Sequence, residues 1–523
     1  MDKRKTFYFL LLFLLLSCLF GFFIFHKLHW PTEDLGRHLL NGKLILQGNY
    51  GVLYKNVYSY TNTEFPFLNH HWFAGVVYYM IFSEFSFPGL YILNALLLLT
   101  TLLITLKRMW LRSSLFWVAL LGFPLVLLLS SRIVIRPESF GYLFLTLYLL
   151  IIERYEHTGK IDLKSILCML IIQAIWVNVH ISFVMGIFVA LTLFTKLVFS
   201  RIVRKSLQLR KKIVLLNIGL LSASLLNPNG INGLLYPFAM FSNYGYSIVE
   251  NQSPWFLRTL LLEPAIQLYF VFAFMTTISL VAHYRNISSN ETLRIVVALI
   301  LSWTALRHLP FFAIICFPFI AESLHGMSRN IVRYGENLLE SVRVFGTSLL
   351  VMLYLLGIPY VFSGTYNPKF TMEQLDWNID ETQFNSARFF RSLNIKGNMF
   401  NNFDIGGYLD YALYPDWKVF IDNRPDAFPA SFFTDVYIPM QQNENEWKEQ
   451  VKKHDFQTIY WGHTDITPWG IEFLRARLKD NEWKMVFADQ SAVILLRNNE
   501  QNKEVIKNFQ RDPSDLGKFN PYF

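Results

Sequence analysis

The polar segment at 26–38, His-Lys-Leu-His-Trp-Pro-Thr-Glu-Asp-Leu-Gly-Arg-His, puts Asp34 directly after an apolar run. A carboxylate there, with Glu33 and His38 as alternates, has the chemistry of a general base that takes a proton from a hydroxyl. A capped helix accounts for the same residues: Thr32 caps it, and Glu33 and Asp34 sit in the first turn at the positive dipole end, worth about 0.3–1 kcal/mol. Arg136-Pro137-Glu138 offers a guanidinium that could grip phosphate oxygens in bidentate fashion, and Arg307-His308 a second cation for the same work. A surface arginine followed by a proline-started helix is the plainer account of Arg136. His70 and His71, and Asn178 and His180 in Trp-Val-Asn-Val-His, are candidate cavity-lining groups, together with Arg37 and Glu138. No His-x-x-x-His spacing and no clustered acids accompany these histidines, which argues against a metal site. Asp422, Arg424 and Asp426, in Phe-Ile-Asp-Asn-Arg-Pro-Asp, are candidates for binding an acceptor; a strand followed by a turn explains them as well.

Membrane-spanning elements must position these residues. The chain has 523 residues, 53% hydrophobic, 17% aromatic and only 16% charged, with apolar runs of transmembrane length. The net charge of +9 comes from Lys and Arg clustered between apolar runs, which is topology rather than a nucleic-acid stripe. Cys18, Cys168 and Cys316 all lie in apolar runs and form neither a disulfide framework nor a zinc spacing. The N-terminal run, after Lys3, Arg4 and Lys5, is too long for a signal-peptide core and reads as an uncleaved first span.

Spans are expected near 7–26, 88–106, 113–131, 139–153, 165–180, 182–200, 213–226, 264–283, 293–306, 309–323 and 344–362. Residues 72–87 are read as a juxtamembrane helix. Only then do Lys107, Arg108 and Arg112, the block from Arg201 through Arg204 and Lys205 to Lys212, and Arg329, Arg333 and Arg343 all face the cytoplasm. The result is 11 spans, the N-terminus inside and the C-terminus outside. On that topology the unusual polar residues gather at span ends on the outer side: Glu33, Asp34, Arg37, His38, His70 and His71, then Arg132, Arg136 and Glu138, then Asn178 and His180, Arg258, and Arg307 and His308. A charge at mid-membrane costs about 2.5–3.5 kcal/mol on insertion scales, so span ends are inexpensive places for them.

Residues 33–47 read as an amphipathic helix on the membrane, ended by Gly48-Asn49. Composition turns polar at Ser363, dividing a transmembrane domain (1–362, with 27–87 as its first outer loop) from an extracytoplasmic α/β domain (363–523). In that domain strands are expected near 398–403, 417–422, 456–461, 483–488 and 491–497. Helices are expected near 381–393, 444–454 and 468–479, and the tail beyond about 500 as poorly ordered.

Several motifs, in order, resemble those of the GT-C superfamily of polytopic glycosyltransferases, and within or near it a largely uncharacterised bacterial group. Asp34-Leu-Gly-Arg-His-Leu with Gly42 is similar to that group's Asp-Leu-Trp-Trp-His-Leu-x-x-Gly. Tyr58-Ser-Tyr-Thr, Asn69-His-His-Trp, Arg136-Pro-Glu, Trp176-Val-Asn-Val-His, Leu226-Asn-Pro-Asn-Gly and Tyr236-Pro-Phe fit as well. So do Gly406-Gly-Tyr-Leu and Phe420-Ile-Asp-Asn-Arg-Pro-Asp, the latter against Phe-Ile-Asp-Gly-Arg-Ala-Asp. The departures are Gly36-Arg37, where the group has aromatics, and His71, where an acid is common.

The resemblance implies a GT-C-like helical membrane protein of the bacterial inner or cell membrane. Its substrate would be a polyprenyl-phosphate-linked sugar, with no further cofactor and no nucleic-acid partner. Asp34 would be the base of an inverting transfer to a glycan, lipid or protein acceptor, with donor phosphate held by Arg136, Arg307 and His308. A non-catalytic scaffold subunit and a transporter or flippase of lipid-linked saccharides are the alternatives; the transporter predicts paired charges within spans and repeat symmetry.

Overall fold

The computed structural model describes residues 3–523 except 201–202, 204–205, 240–243, 262, 286, 333–335, 394 and 466. Arg201, Arg204, Lys205 and Arg333, used above to orient the chain, lie outside the described residues, as does the side chain of Arg343. Packing gathers the chain into two compact units. The first comprises Met1–Lys27, Leu90–Pro237 and Ile248–Trp377; the second comprises Leu28–Gly89, Phe238–Ser247 and Asn378–Phe523. Composition draws its line at Ser363, whereas packing takes the 28–89 segment out of the transmembrane part and folds it with the C-terminal residues.

The first unit is a helical bundle. Each long apolar run becomes a helix because only a helix satisfies every backbone N–H and C=O from within one segment in lipid. Among the described residues, six helices are long and apolar enough to cross a membrane: Lys3–Ile24, Trp72–Arg112, Leu115–Arg132, Pro264–His283, Leu306–Arg329 and Phe345–Phe362. The other five expected spans are helical too, at Glu138–Thr158, Leu163–Val179, Phe183–Leu191 with Phe194–Phe199, Leu207–Ser224 and Ser289–Thr304. They fall short of those six in length or in apolarity. The chain is an integral membrane protein. Leu309–Val332 lies at the bundle centre, with Phe312, Ala313, Ile314, Cys316 and Phe317 fully buried.

At one set of helix ends, four cations meet four carboxylates. Arg108 binds Glu153 through Nε at 2.9 Å and Nη2 at 2.6 Å. Arg112 pairs with Glu291 and, at 3.1 Å each, with Glu153 and Glu322. Glu156 takes Arg294 at 3.0 Å and Lys196 at 3.9 Å.

The second unit contains a four-stranded sheet: β1 (Asn398–Asn401), β2 (Phe456–Trp461), β3 (Trp483–Ala488) and β4 (Val493–Arg497), in the order β1-β2-β4-β3. β1 and β2 run parallel and the remaining pairs antiparallel. Every residue of β2 is buried, as expected of a central strand covered on both faces. Helices Glu444–His454 and Pro468–Lys479 form where their periodicity predicts; Asn443 caps the first by accepting from Asn445 N at 2.8 Å.

Three sequence expectations change here. Residues 417–422 do not join the sheet: Val419 exchanges backbone hydrogen bonds with the 58–60 segment instead, at 3.1 and 3.2 Å. The tail beyond 500 is ordered, with a helix Lys503–Phe509 against β3, Arg511 N bonded to Met485 O at 2.8 Å, and Leu516 wholly buried. The helix expected to lie on the membrane (Leu35–Leu46) is buried on nearly all sides and packs on the helix Gly406–Leu413, an element with too little periodicity to be read from sequence.

Glycines make that packing possible. A Cβ on Gly36 would sit 2.9 Å from Gly407 O, and one on Gly42 only 2.1 Å from Gly75 O. Residues 72–112 do not form one straight rod. Ser86 has φ 54° and Pro88 follows, so the expected juxtamembrane helix ends at that break and the next span begins after it.

Candidate functional site

Within the first unit, three short turns at helix ends bring the arginines together. Arg132 ends the turn Ser130–Arg132, Glu250 lies in Val249–Asn251, and Arg307 and His308 lie in Leu306–His308. Pro137 stands at the N-cap position of the helix that Glu138 opens, as its fixed φ favours. Arg132 donates to Glu138 Oε2 from Nε (3.1 Å) and Nη2 (2.8 Å) and reaches Glu250 at 2.5 Å. Arg136 Nη1 donates to Glu250 Oε1 at 2.6 Å. Arg307 is held more loosely, 3.5 Å from Glu138 and 3.7 Å from Glu250, and is the most exposed of the three arginines.

Burial would push the Glu250 carboxyl up, but Arg132 and Arg136 overcome it and hold the group well below the usual carboxylate range. Arg132, Arg136 and Arg307 thus gather around Glu138 and Glu250.

The other candidates of this unit play varied parts. His308 Nδ1 lies 2.8 Å from Leu301 O. His180 Nδ1 accepts from Ser182 N at 3.1 Å, and its ring is within electrostatic reach of Glu138. Asn178 donates to Ala174 O of its own helix at 2.8 Å and to Leu226 O at 2.7 Å.

In the second unit, Asp34 occupies the N-cap position of Leu35–Leu46 but makes no side-chain cap bond, and Thr32 instead donates to His29 O. Thr32 therefore does not cap this helix, while Asp34 still stands at its positive dipole end. Its Oδ1 accepts from Asn423 Nδ2 at 2.7 Å and pairs with Arg37 Nη2 at 3.2 Å, one helical turn on. Glu33 closes the preceding turn through its backbone N–H to Trp30 O. His38 points inward, its ring 5.3 Å from that of His71, which in turn lies 3.8 Å from His70. Among the described residues no group of three His, Cys, Asp or Glu side chains is arranged to hold a metal ion.

The acceptor-binding expectation for Asp422 and Arg424 gives way to a buried clamp. Asp422 takes Arg424 N (3.0 Å), Nε (2.8 Å) and Nη2 (2.6 Å), and Nη2 also reaches Asn56 Oδ1 at 2.7 Å. The guanidinium lies 4.7 Å from the Tyr58 ring centre and 4.6 Å from that of Phe67. With both residues at most 1% exposed, neither meets solvent. Asp426, in the turn Pro425–Ala427, is half-buried.

Sequence reading assigned no role to Glu250, Asn423, Asp404 or Asp410. Burial, with Asp465 and Asp34 nearby, pushes the Asp404 carboxyl up to about 7. Burial and Asp422 likewise push Asp410 well up, against the pull of Arg424 and Arg37. These are residues whose neighbours come from distant parts of the sequence, so no local pattern marks them; only Asn423, inside a dense polar motif, carried a signal.

No protein-family model and no curated protein matches the sequence. Among solved structures, the chain is similar to the archaeal oligosaccharyltransferase AglB of Archaeoglobus fulgidus, in complex with an inhibitory peptide and a dolichol-phosphate. Identity is 10% over 95% of this chain and 75% of that one, at a TM-score of 0.60. The same organism's oligosaccharyltransferase tethered to an acceptor peptide containing the NVT sequon matches at 10% identity, 95% and 74% coverage and a TM-score of 0.58. The chain thus shares the fold of these oligosaccharyltransferases, with a small sheet in its C-terminal region.

Proposed function

We propose that the chain is an inverting glycosyltransferase of a bacterial inner or cell membrane. It transfers a sugar from a polyprenyl-phosphate carrier to an extracytoplasmic acceptor, with the N-terminus in the cytoplasm and the C-terminal domain outside. The oligosaccharyltransferase that shares the fold was captured with a dolichol-phosphate, which supports this donor class. The observation that carries the reading is the Asp34 carboxylate, which its own helix does not use as a cap and which Asn423 and Arg37 hold from two sides.

Asp34 takes the proton of the acceptor hydroxyl as that oxygen bonds to the anomeric carbon. The bond from that carbon to the phosphate oxygen breaks on the opposite face, and its electron pair leaves with the polyprenyl phosphate. Arg136 and Arg307 hold the phosphate, and their guanidinium groups stabilise the negative charge that grows on it.

The test uses the full chain in proteoliposomes with a panel of polyprenyl-phosphate hexoses and envelope glycolipid as acceptor. Wild type should release polyprenyl phosphate, and Asp34→Asn should do so about 100-fold more slowly or worse with an unchanged melting temperature. Full rate in Asp34→Asn removes Asp34 as the base. Donor that crosses the bilayer without being consumed identifies a flippase instead.

A further inference from the structure

We propose that Asn423 is a positioning residue for the Asp34 carboxylate, a role that rests on Asp34 being the base. Asn423 Nδ2 donates to Asp34 Oδ1 at 2.7 Å. A carboxylate only accepts, so the amide must present its NH2 end to Asp34, and the orientation of the side chain is fixed by chemistry.

The backbone that carries Asn423 is fixed on both sides. Asp422 and Arg424, its immediate neighbours, satisfy each other in the buried clamp, which Asn56 and two aromatic rings complete. On the other side stands Gly407, where a Cβ would come within 2.8 Å of both Asn423 Nδ2 and Oδ1. The amide therefore sits in a slot that only a glycine leaves open. Asp422 and Arg424 hold the turn and Asn423 aims the base.

Positioning of this kind acts on the chemical step, because small misplacements of a base cost rate far more than they cost binding. Asn423→Leu removes the donor at similar size; Asn423→Asp keeps the shape and sets a second carboxylate against the first. In the proteoliposome assay both should lower kcat about 10- to 100-fold, Asn423→Asp the more, with donor and acceptor KM within about threefold of wild type.

Melting temperature is measured alongside. If kcat falls only in variants that lose more than about 5 °C, Asn423 is merely structural and the proposal is overturned; it is overturned equally if both variants keep wild-type kcat. Asp34→Asn run in parallel separates the two claims. An inactive Asp34→Asn beside a fully active Asn423→Asp sinks only the positioning role, whereas a fully active Asp34→Asn sinks both.

Discussion

Arg307 keeps 3.5 and 3.7 Å from the two glutamates that Arg132 and Arg136 bind at 2.5 to 3.1 Å. A loosely tethered guanidinium can turn to an incoming phosphate at little cost, while Arg132 cannot leave Glu138 without stranding a buried charge. Arg307→Ala is therefore expected to raise donor KM about tenfold with an unchanged melting temperature, since one good charge-assisted contact is worth about 1.5–3 kcal/mol. Arg132→Ala should instead cost about 3–5 kcal/mol of stability and be read by thermal melting or expression yield. Equal donor KM for wild type and Arg307→Ala removes Arg307 from the phosphate site. Asp34 was legible as a candidate because it opens the first outer loop, shares a face with the outer Arg and His residues, and stands in the motif that carries the GT-C resemblance. Its partner was not: Asn423 is 389 positions away, and the sequence shows only a polar motif with many turn residues.

The helix Leu35–Leu46 depends on what it packs against. Gly36 departs from the aromatic of the resembled group, and the structure explains why: Gly407 O lies where its Cβ would need to be. Gly42 is tighter still, facing the carbonyl of Gly75 across a helix contact. A backbone carbonyl inside a helix has nowhere to go, so Gly42→Ala should push the helices apart and cost about 1–3 kcal/mol, visible as a drop in melting temperature. A stability equal to wild type would show that the contact relaxes freely. Strands and helices with their own periodicity, such as β2 and Glu444–His454, were readable residue by residue. Gly406–Leu413 was not, because Gly406-Gly407 is poor helix sequence and tertiary packing outweighs propensity there.

Seen whole, the chain's stability should depend on pH through groups that burial has displaced. Asp404 keeps its proton in the folded state up to about 7, whereas an unfolded aspartate releases it near 3.8. The folded chain binds more protons between those values, so this contribution is fully present below about 4 and is lost as pH rises through 7. Glu250, held low by Arg132 and Arg136, works the opposite way, and its contribution is lost as pH falls through its folded value. Asp404→Asn should flatten the fall in melting temperature between pH 4 and 7; an unaltered slope would mean that Asp404 does not carry it. The helical membrane architecture was plain from hydropathy. The division into units was not, because composition follows polarity along the chain and packing follows neighbours in space.

That division has a consequence for the order in which the protein can be made. The segment Leu28–Gly89 shares its unit with Phe238–Ser247 and with residues from Asn378 on, the latter beginning about 290 residues later. At about 5–20 residues per second, Asp34 and its helix leave the ribosome about 20 to 75 s before Gly406–Leu413 exists to cover them. For that interval the face of this helix that packs on Gly406–Leu413 stays uncovered. A nascent chain halted before residue 378 would hold an assembled membrane part and an unfinished N-terminal loop, a species for quality-control proteases to recognise.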